Sequence, residues 1–413
     1  MKILYDGIMW LLRVGVGIAS FFNTKARSFV EGRRSVFNKL EEYFKDNGNG
    51  KVIWIHCASL GEFEQGRPVI EGLKNEFPDC KVVLTFFSPS GFEVRKQYPL
   101  ADVVCYLPWD TNANAVRFVA LVKPVLAIFV KYEFWYHYLS VLNANRVAIL
   151  SISSIFRTSQ LFFKPYGGFY RDMLKRVTYF FVQNSSSLSL LKSIDVQQCM
   201  LAGDTRFDRV YQIVSHAEEV PIARRFKNAT ETFVVGSCWP EDLEVLKPFI
   251  LEQDLKFIIA PHEISNAFIE RIQQELKVPS IRYSMAQDKD LMEFKVLIID
   301  NMGMLSRLYR YGEFAYVGGA FGKGLHNILE AACYGMPVFF GNKVYHKFQE
   351  AVDLISAGGA FAISDAASLG SQYRQLKDPD AYVAACSTTR DYVKVNLGAT
   401  EKILTYCRQL LSR

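Results

Sequence analysis

Two stretches of this chain combine side chains that can do chemistry. The first is His56-Cys57-Ala58-Ser59-Leu60-Gly61-Glu62, which ends the apolar run Val52–Cys57 and leads into a segment rich in Glu, Gln and Arg that reaches Lys74. Gly61 permits a tight strand-to-helix turn, and that turn sets Glu62 near a helix N-terminus at the ligand-facing edge of a sheet. A carboxylate there accepts a proton from a substrate hydroxyl as a general base. The helix end also favours the charged form and so lowers its basicity. The plain alternative is a helix-start Glu completing a capping arrangement with Ser59.

The second stretch runs from Phe314 through Gly318-Gly319-Ala320-Phe321-Gly322-Lys323-Gly324-Leu325-His326-Asn327 to Glu330. It reads as a strand ending in Gly318 and Gly319, a loop carrying Gly322 and Gly324, and a helix that begins about His326. Glycines let backbone N–H groups close on a phosphate and a helix end adds partial positive charge, so the pattern points to a phosphate-bearing donor. Glu330, one turn into that helix, is placed for ribose hydroxyls. The spacing matches neither G-x-G-x-x-G after a first strand nor G-x-x-x-x-G-K-[ST], which disfavours dinucleotide oxidoreductases and P-loop enzymes. The alternative is a glycine-rich turn that only packs.

Three further segments are weaker. Gly203-Asp204-Thr205-Arg206-Phe207-Asp208 offers Arg206, a residue type more often found in a surface ion pair than on an anion. Pro261-His262 closes a strand at a ligand-facing edge. Lys131-Tyr132-Glu133-Phe134-Trp135 closes another, where a charge beside Trp suits sugar contact. The six His are dispersed, with no H-E-x-x-H and no carboxylate triplet, so no metal is expected; a G-x-S-x-G elbow is also missing.

The elements that must hold these residues can be read from the apolar runs. Val52–Cys57, Val82–Phe87, Val103–Leu107, Val125–Val130, Val147–Ile152 and, more weakly, Tyr179–Gln183 alternate with helix-like stretches. The series restarts at Phe233–Gly236, Phe257–Ala260, Val296–Ile299, Phe314–Gly318 and Pro337–Phe340. Short buried runs spaced by crossover helices read as parallel strands, so the fold class is α/β, with two doubly wound Rossmann-like domains facing a cleft. Tyr211–Asn228 carries mixed charge, Pro221 and no strand signal. We therefore place an N-terminal domain at 41–215, a linker at 216–228, a second domain at 229–380 and a helical segment at 381–413.

Residues 1–40 form a unit apart. Seven basic residues against two acidic ones leave +5 there out of +6 for all 413 residues. A net charge this small does not announce a nucleic-acid binder. The start, MKILYDGIMWLLRVGVGIASFF, is apolar but interrupted by Asp6 and Arg13, which makes it a poor spanning helix and a poor signal peptide. It reads as a helix lying on a bilayer through Trp10, Leu11, Leu12, Phe21 and Phe22, with the basic run from Lys25 to Lys39 on anionic headgroups. An ordinary buried first helix is the alternative. The eight scattered cysteines, without a C-x-x-C pair, read as reduced thiols of a cytosol.

Ser59-Leu60-Gly61-Glu62, Glu133-Phe134-Trp135, Gly203 through Asp208, and Gly318-Gly319 through His326-Asn327 and Glu330 occur in an order that resembles the bacterial 3-deoxy-D-manno-oct-2-ulosonic acid (Kdo) transferases of lipopolysaccharide assembly. The likeness runs from the N-terminal helix to about Gly359. It implies a GT-B fold and an inverting, metal-independent transfer of Kdo from CMP-Kdo to the lipid A precursor (lipid IVA) at the cytoplasmic face of the inner membrane. In those terms Glu62 is the base, and Ser59, Gly61 and Glu133 are acceptor contacts. Arg206, Ser237, His262, Gly318, Gly319, Gly322, Gly324, His326, Asn327 and Glu330 are donor contacts. The implied partners are CMP-Kdo, the lipid A precursor and an anionic membrane surface, with no nucleic acid and no cofactor. The chain departs from the pattern where the family has Glu-Thr-Glu and this sequence has Lys131-Tyr132-Glu133. It departs again where Pro-Arg-His-Pro is Ala260-Pro261-His262-Glu263, where Asn-Leu-Lys is Asp204-Thr205-Arg206, and where a second Gly before His-Asn is Leu325. Another GT-B transferase or an epimerase acting on a UDP-sugar, and a silent membrane-bound sugar-nucleotide binder, stay open.

Overall fold

The computed structural model describes residues 1–48 and 50–412, which divide into two units: Met1–Arg209 with Leu397–Arg413, and Val210–Asn396. In the first unit β1 (Val52–Cys57), β2 (Lys81–Phe86), β3 (Val103–Tyr106), β4 (Pro124–Val130), β5 (Ala148–Ser154), β6 (Tyr179–Val182) and β7 (Cys199–Leu201) form one sheet in the order β3-β2-β1-β4-β5-β6-β7. All its pairings are parallel. Every residue of β1 is buried, as a strand covered on both faces requires. One face packs Trp54, Phe118, Phe129 and Tyr138; the other packs Ile55, Phe63, Ile128 and Ile403. Three of the polar side chains inside are paired: Thr85 Oγ1 accepts from Trp54 Nε1 at 2.8 Å and bonds His56 Nδ1 at 2.9 Å.

The second unit repeats the plan with β8 (Thr232–Cys238), β9 (Lys256–Pro261), β10 (Ser280–Arg282), β11 (Val296–Ile298), β12 (Phe314–Val317), β13 (Val338–Gly341) and β14 (Ala360–Ile363), in the order β10-β11-β9-β8-β12-β13-β14. Chain order reverses between β1 and β4 in the first sheet and between β8 and β12 in the second. Ligands of doubly wound sheets bind outside the carboxyl ends of strands at such a switch point. The loops after β1 and β4, and after β8 and β12, are the stretches that the sequence singles out for chemistry.

The structure divides the connections more finely than the sequence reading. The unit boundary falls at Arg209/Val210, inside the helix Thr205–Ser215, and the supposed linker contains the helix Pro221–Lys227. Pro221 sits in the first turn of that helix, where its missing N–H costs nothing, and Ile222, Ala223 and Phe226 are buried. The C-terminal stretch is two helices: Pro379–Val395 stays with the second unit, whereas Ala399–Leu411 belongs to the first. Asp208 caps the start of the latter by accepting the amides of Gly398 and Thr400, each at 2.7 Å. The strands β7, β10 and β14 are the additions to the sequence reading.

Three helices precede the first sheet: α1 (Lys2–Ala19), α2 (Thr24–Arg34) and α3 (Val36–Asp46). Only Met9 of α1 is buried. Tyr5 donates to Asp110 and Asp6 bonds His137 Nε2 at 2.6 Å, so the polar residues that interrupt the apolar run dock the helix. Ile3, Leu4, Ile8, Trp10, Leu11 and Leu12 remain exposed, and Phe21 and Phe22 are 77% and 88% exposed. Among the described residues no single helix is long and apolar enough to cross a membrane; α1 together with Thr24–Asp46 reaches that length, but with a bend of 119°. Arg33 of α2 is buried, with no carboxylate partner among the described residues. It donates to the carbonyls of Leu107 at 2.9 Å, Phe29 at 2.9 Å and Phe87 at 2.6 Å, with the Phe29 ring 3.6 Å away, and burial pushes its guanidinium down to about 9.

Candidate active site

In the first unit, Ser59 is the extended N-cap of α4 (Leu60–Glu76), and Glu62 lies in its first turn. The capping arrangement that stood as the alternative does not form. The Ser59 hydroxyl donates to Glu62 Oε2, while Lys131 Nζ lies 3.3 Å from Oε1, so both carboxylate oxygens are engaged. Burial by itself pushes the Glu62 carboxyl up. The Ser59 hydroxyl, the Lys131 ammonium and the Glu62 amide outweigh it and hold the group below the ordinary glutamate range. Glu62 is therefore an ionised, half-buried carboxylate: it can accept a proton without first losing one. Gly61 has no positive φ, and a Cβ there would meet only Ser59 Oγ at 3.7 Å, so the turn does not require a glycine.

Glu133 stands beside this pair. Its Oε2 is 3.7 Å from His56 Nε2, the nitrogen that also receives the Trp135 indole N–H at 3.3 Å. That donor makes Nε2 an acceptor and assigns the neutral Nδ1–H tautomer, with Nδ1–H directed to Thr85, so the His56–Glu133 approach is not an ion pair. Arg206 also belongs to this unit. Its Nε donates to Asp204 Oδ2 at 2.8 Å, and Gln65 of α4 donates to Asp204 Oδ1 at 3.0 Å. Arg206, expected as a donor contact, is thus a side chain engaged with Asp204 at the edge that carries Glu62.

The second unit presents a different surface. Ser237 adopts φ +50, and its carbonyl lies 2.2 Å from where a Cβ on Gly318 would be; Gly319, at φ +93, would meet the Gly324 carbonyl at 2.3 Å. Both glycines are required by close backbone approach. Gly322 is not, having open space around it. The amides of Gly318, Gly319, Gly322, Gly324 and His326 donate to Gly236, Asp242, Gly319, Gly319 and Gly318, so the glycines shape the loop rather than supply free donors. The helix expected from His326 is a single turn, Leu329–Ala332, and the Asn327 side chain before it accepts the Leu329 amide at 3.2 Å. Asn327 Nδ2 also bonds Glu330 Oε1 at 3.2 Å.

Sequence reasoning missed Trp239 and Asp242. Asp242 is fully buried and accepts Tyr316 Oη at 2.7 Å and the Trp239 and Gly319 amides at 2.9 Å each, tying the loop after β8 to the loop after β12. Burial pushes its carboxyl up against those bonds. Its signal was Pro240 at the first helical position with an acid two residues on. Trp239 Nε1 donates to His326 Nε2 at 3.0 Å, and the Trp239, His262 and His326 rings stack with centroids 4.3 and 4.2 Å apart. Burial, and then the neighbouring His262, push His326 down to about 4, so it is a neutral ring with its proton on Nδ1. Beside the stack lies a cavity of about 410 Å³ lined by Trp239, Glu263, Ser265, Phe268 and Lys323 among others. The second unit thus gathers Ser237, His262, Gly318, Gly319, His326, Asn327 and Glu330.

The family model for 3-deoxy-D-manno-octulosonic-acid transferase matches residues 33–209. The Kdo transferase of Aquifex aeolicus is 26% identical over 333 residues, 79% of this chain and 86% of that protein. The one from Chlamydophila psittaci is 27% identical over 329 residues, 75% of this chain and 74% of that protein. Among solved structures, UDP-GlcNAc 2-epimerase from Neisseria meningitidis aligns with a TM-score of 0.60 at 17% identity, covering 88% of this chain and all of that one. MurG from Acinetobacter baumannii aligns at 0.57 and 10% identity, covering 87% and all of it. These two likenesses establish the GT-B fold class. The family match over residues 33–209, the relatives and the shared order of site segments together support a Kdo transferase, that is, a glycosyltransferase.

Proposed function

We propose that this enzyme moves Kdo from CMP-Kdo to the lipid A precursor with inversion at the anomeric carbon, without a metal. The observation that carries the proposal is Glu62: an ionised carboxylate at a topological switch point, held from both sides by protein donors. In the reaction the acceptor hydroxyl oxygen bonds the Kdo anomeric carbon, and the bond from that carbon to the phosphate oxygen breaks. CMP leaves with the electron pair, and Glu62 takes the hydroxyl proton. A single displacement inverts the centre. The second unit binds the donor through the loops that Asp242 ties together, and the neutral Nδ1–H of His326 is a donor suited to charge developing on the leaving phosphate. Glu330 and Asn327 fit the ribose.

The exposed apolar face of α1 and the basic α2 support attachment to the anionic cytoplasmic face of the inner membrane. Phe21→Asp with Phe22→Asp is expected to move the protein from the pellet to the supernatant when it is sedimented with anionic vesicles; unchanged pelleting would remove the helix from this role. Transfer itself is tested by incubating the protein with CMP-Kdo and lipid IVA. A product heavier by one or more Kdo residues, with inverted anomeric configuration by NMR, is expected. The likeness to UDP-GlcNAc 2-epimerase favours a second reading, a UDP-sugar site. Stabilisation in a thermal shift by UDP but not CMP would select it.

A further inference from the structure

Lys131, the first residue past β4, adopts φ +64, a left-handed backbone that a non-glycine residue keeps only where its surroundings over-determine it. Here they do. Its N–H donates to Ile152 O at 2.8 Å, and its carbonyl accepts from Ser151 Oγ at 2.9 Å and Ser154 Oγ at 3.2 Å, the two hydroxyls being 2.6 Å apart. An extended backbone would send the side chain to another face of the sheet. Held as it is, the side chain reaches Glu62 Oε1 at 3.3 Å, with the two side chains 25% and 15% exposed. Nothing in the assignment of Glu62 as base requires a cation there, and this chain has lysine where the family pattern has glutamate.

We propose that Lys131 is a positioning residue for Glu62: clamped by Ser151 and Ser154, its ammonium fixes both the orientation and the charge of the carboxylate that takes the proton. The proposal rests on Glu62 being that base. The other groups around Glu62 are Ser59 at the start of α4, the buried Cys57 thiol of β1, which burial pushes up so that it stays neutral, and Glu133 two residues beyond Lys131. Glu64 of α4 is paired with Arg95 of the helix Pro89–Arg95 at 2.8 Å and lies 3.9 Å from Arg67. Asp204 and Arg206 reach α4 through Gln65. Arg408 of the helix Ala399–Leu411 pairs with Glu76, about 20 Å along α4 from Glu62. Among the described residues Lys131 is thus the cation that contacts the carboxylate. An adjacent cation favours the charged form, so removing it raises the pH at which Glu62 protonates.

The test uses the full chain with Lys131→Met, which keeps every main-chain bond of the clamp, Lys131→Gln as a second neutral variant, and Lys131→Arg. The Glu62 carboxyl carbon is titrated by 13C NMR, assigned by its loss in Glu62→Gln, and kcat/KM for Kdo transfer is measured against pH. In the neutral variants the NMR midpoint and the acid limb are expected to move up together by about one pH unit, a roughly tenfold loss of rate well below the limb. Lys131→Arg should restore both. Neutral variants that titrate like wild type overturn the proposal. A shifted midpoint in an enzyme whose Glu62→Gln variant still turns over would instead overturn the role of Glu62 as base, with the pairing intact.

Discussion

The two switch points share a topology and differ in how they handle charge. At the end of β1 and β4 an acid is kept ionised by a hydroxyl and an ammonium, with a neutral histidine behind it. At the end of β8 and β12 the contacts are main-chain amides, one buried aspartate that ties two loops, and histidines whose burial keeps them uncharged. The first arrangement suits a group that changes protonation state during a reaction, because its charge is set in advance by fixed partners. The second suits a surface that recognises a ligand through shape and a neutral ring N–H, its loop amides being spent on holding the loops. On the proposed function one fold would serve a chemical role and a holding role, with the loops attached to the same pair of strand ends deciding which.

The sharpest way to break this division is Glu62→Gln. Loss of a general base costs about 10²- to 10⁴-fold in kcat. If the two roles are separate, CMP should stabilise the variant in a thermal shift as it does wild type. Loss of both responses would show that Glu62 also holds the ligand or the fold.

Next in size is Gly318→Ala. Its Cβ would lie 2.2 Å from the Ser237 carbonyl and 2.5 Å from Asp242 Oδ2, neither of which can yield without moving the loop. Overpacking of this kind costs about 1–3 kcal/mol, and stabilisation by CMP should be lost with it. Gly322→Ala, with nothing within 4 Å, should fall within about 0.5 kcal/mol of wild type. Equal effects from the two would return the loop to a mere turn.

Acid separates the units as well. His326 is pushed down to about 4 from an ordinary 6.5, so the unfolded chain binds the proton more readily than the folded one. Its contribution to stability is fully present above pH 6.5 and is lost as the pH falls towards about 4. Glu62, held below the ordinary carboxylate range, loses its contribution only at lower pH. Hydrogen exchange at about pH 5, between those two values, should therefore show the loops after β8 and β12 loosening while the start of α4 stays protected. His326→Gln should weaken this difference. Equal protection in wild type would contradict it.

The central strands were legible because four to seven buried apolar residues in a row admit little else; β7 and β10 are three-residue edges and leave almost no pattern. Glu62, Glu133 and His262 were legible as residue types at strand ends. Their partners were less so. Lys131 stands 69 positions from Glu62 in the chain, and Asp242 reaches Gly319 across 77, distances that only sheet order and register convert into contact. Trp239 lies 87 residues from His326 for the same reason. Glycines misled where only the backbone could say which are required: Gly318 and Gly319 are, Gly61 and Gly322 are not.

That last distinction yields the smallest effect and the finest test of the comparison. Gly61 lies in the first turn of α4 with an ordinary helical backbone, and an alanine Cβ would touch only Ser59 Oγ at 3.7 Å. Glycine inside a helix is less stable than alanine by roughly 0.5–1 kcal/mol, so Gly61→Ala should raise stability by up to that amount in urea unfolding. A residue kept against that gain is explained if the space over the Ser59–Glu62 pair is used by the acceptor. In that case KM for the lipid rises while stabilisation by CMP is unchanged. A stabilised variant with wild-type KM would mean that the surface over Glu62 is wider than an acceptor contact at Gly61 allows, and Gly61 would drop out of the site while Gly318 stayed in.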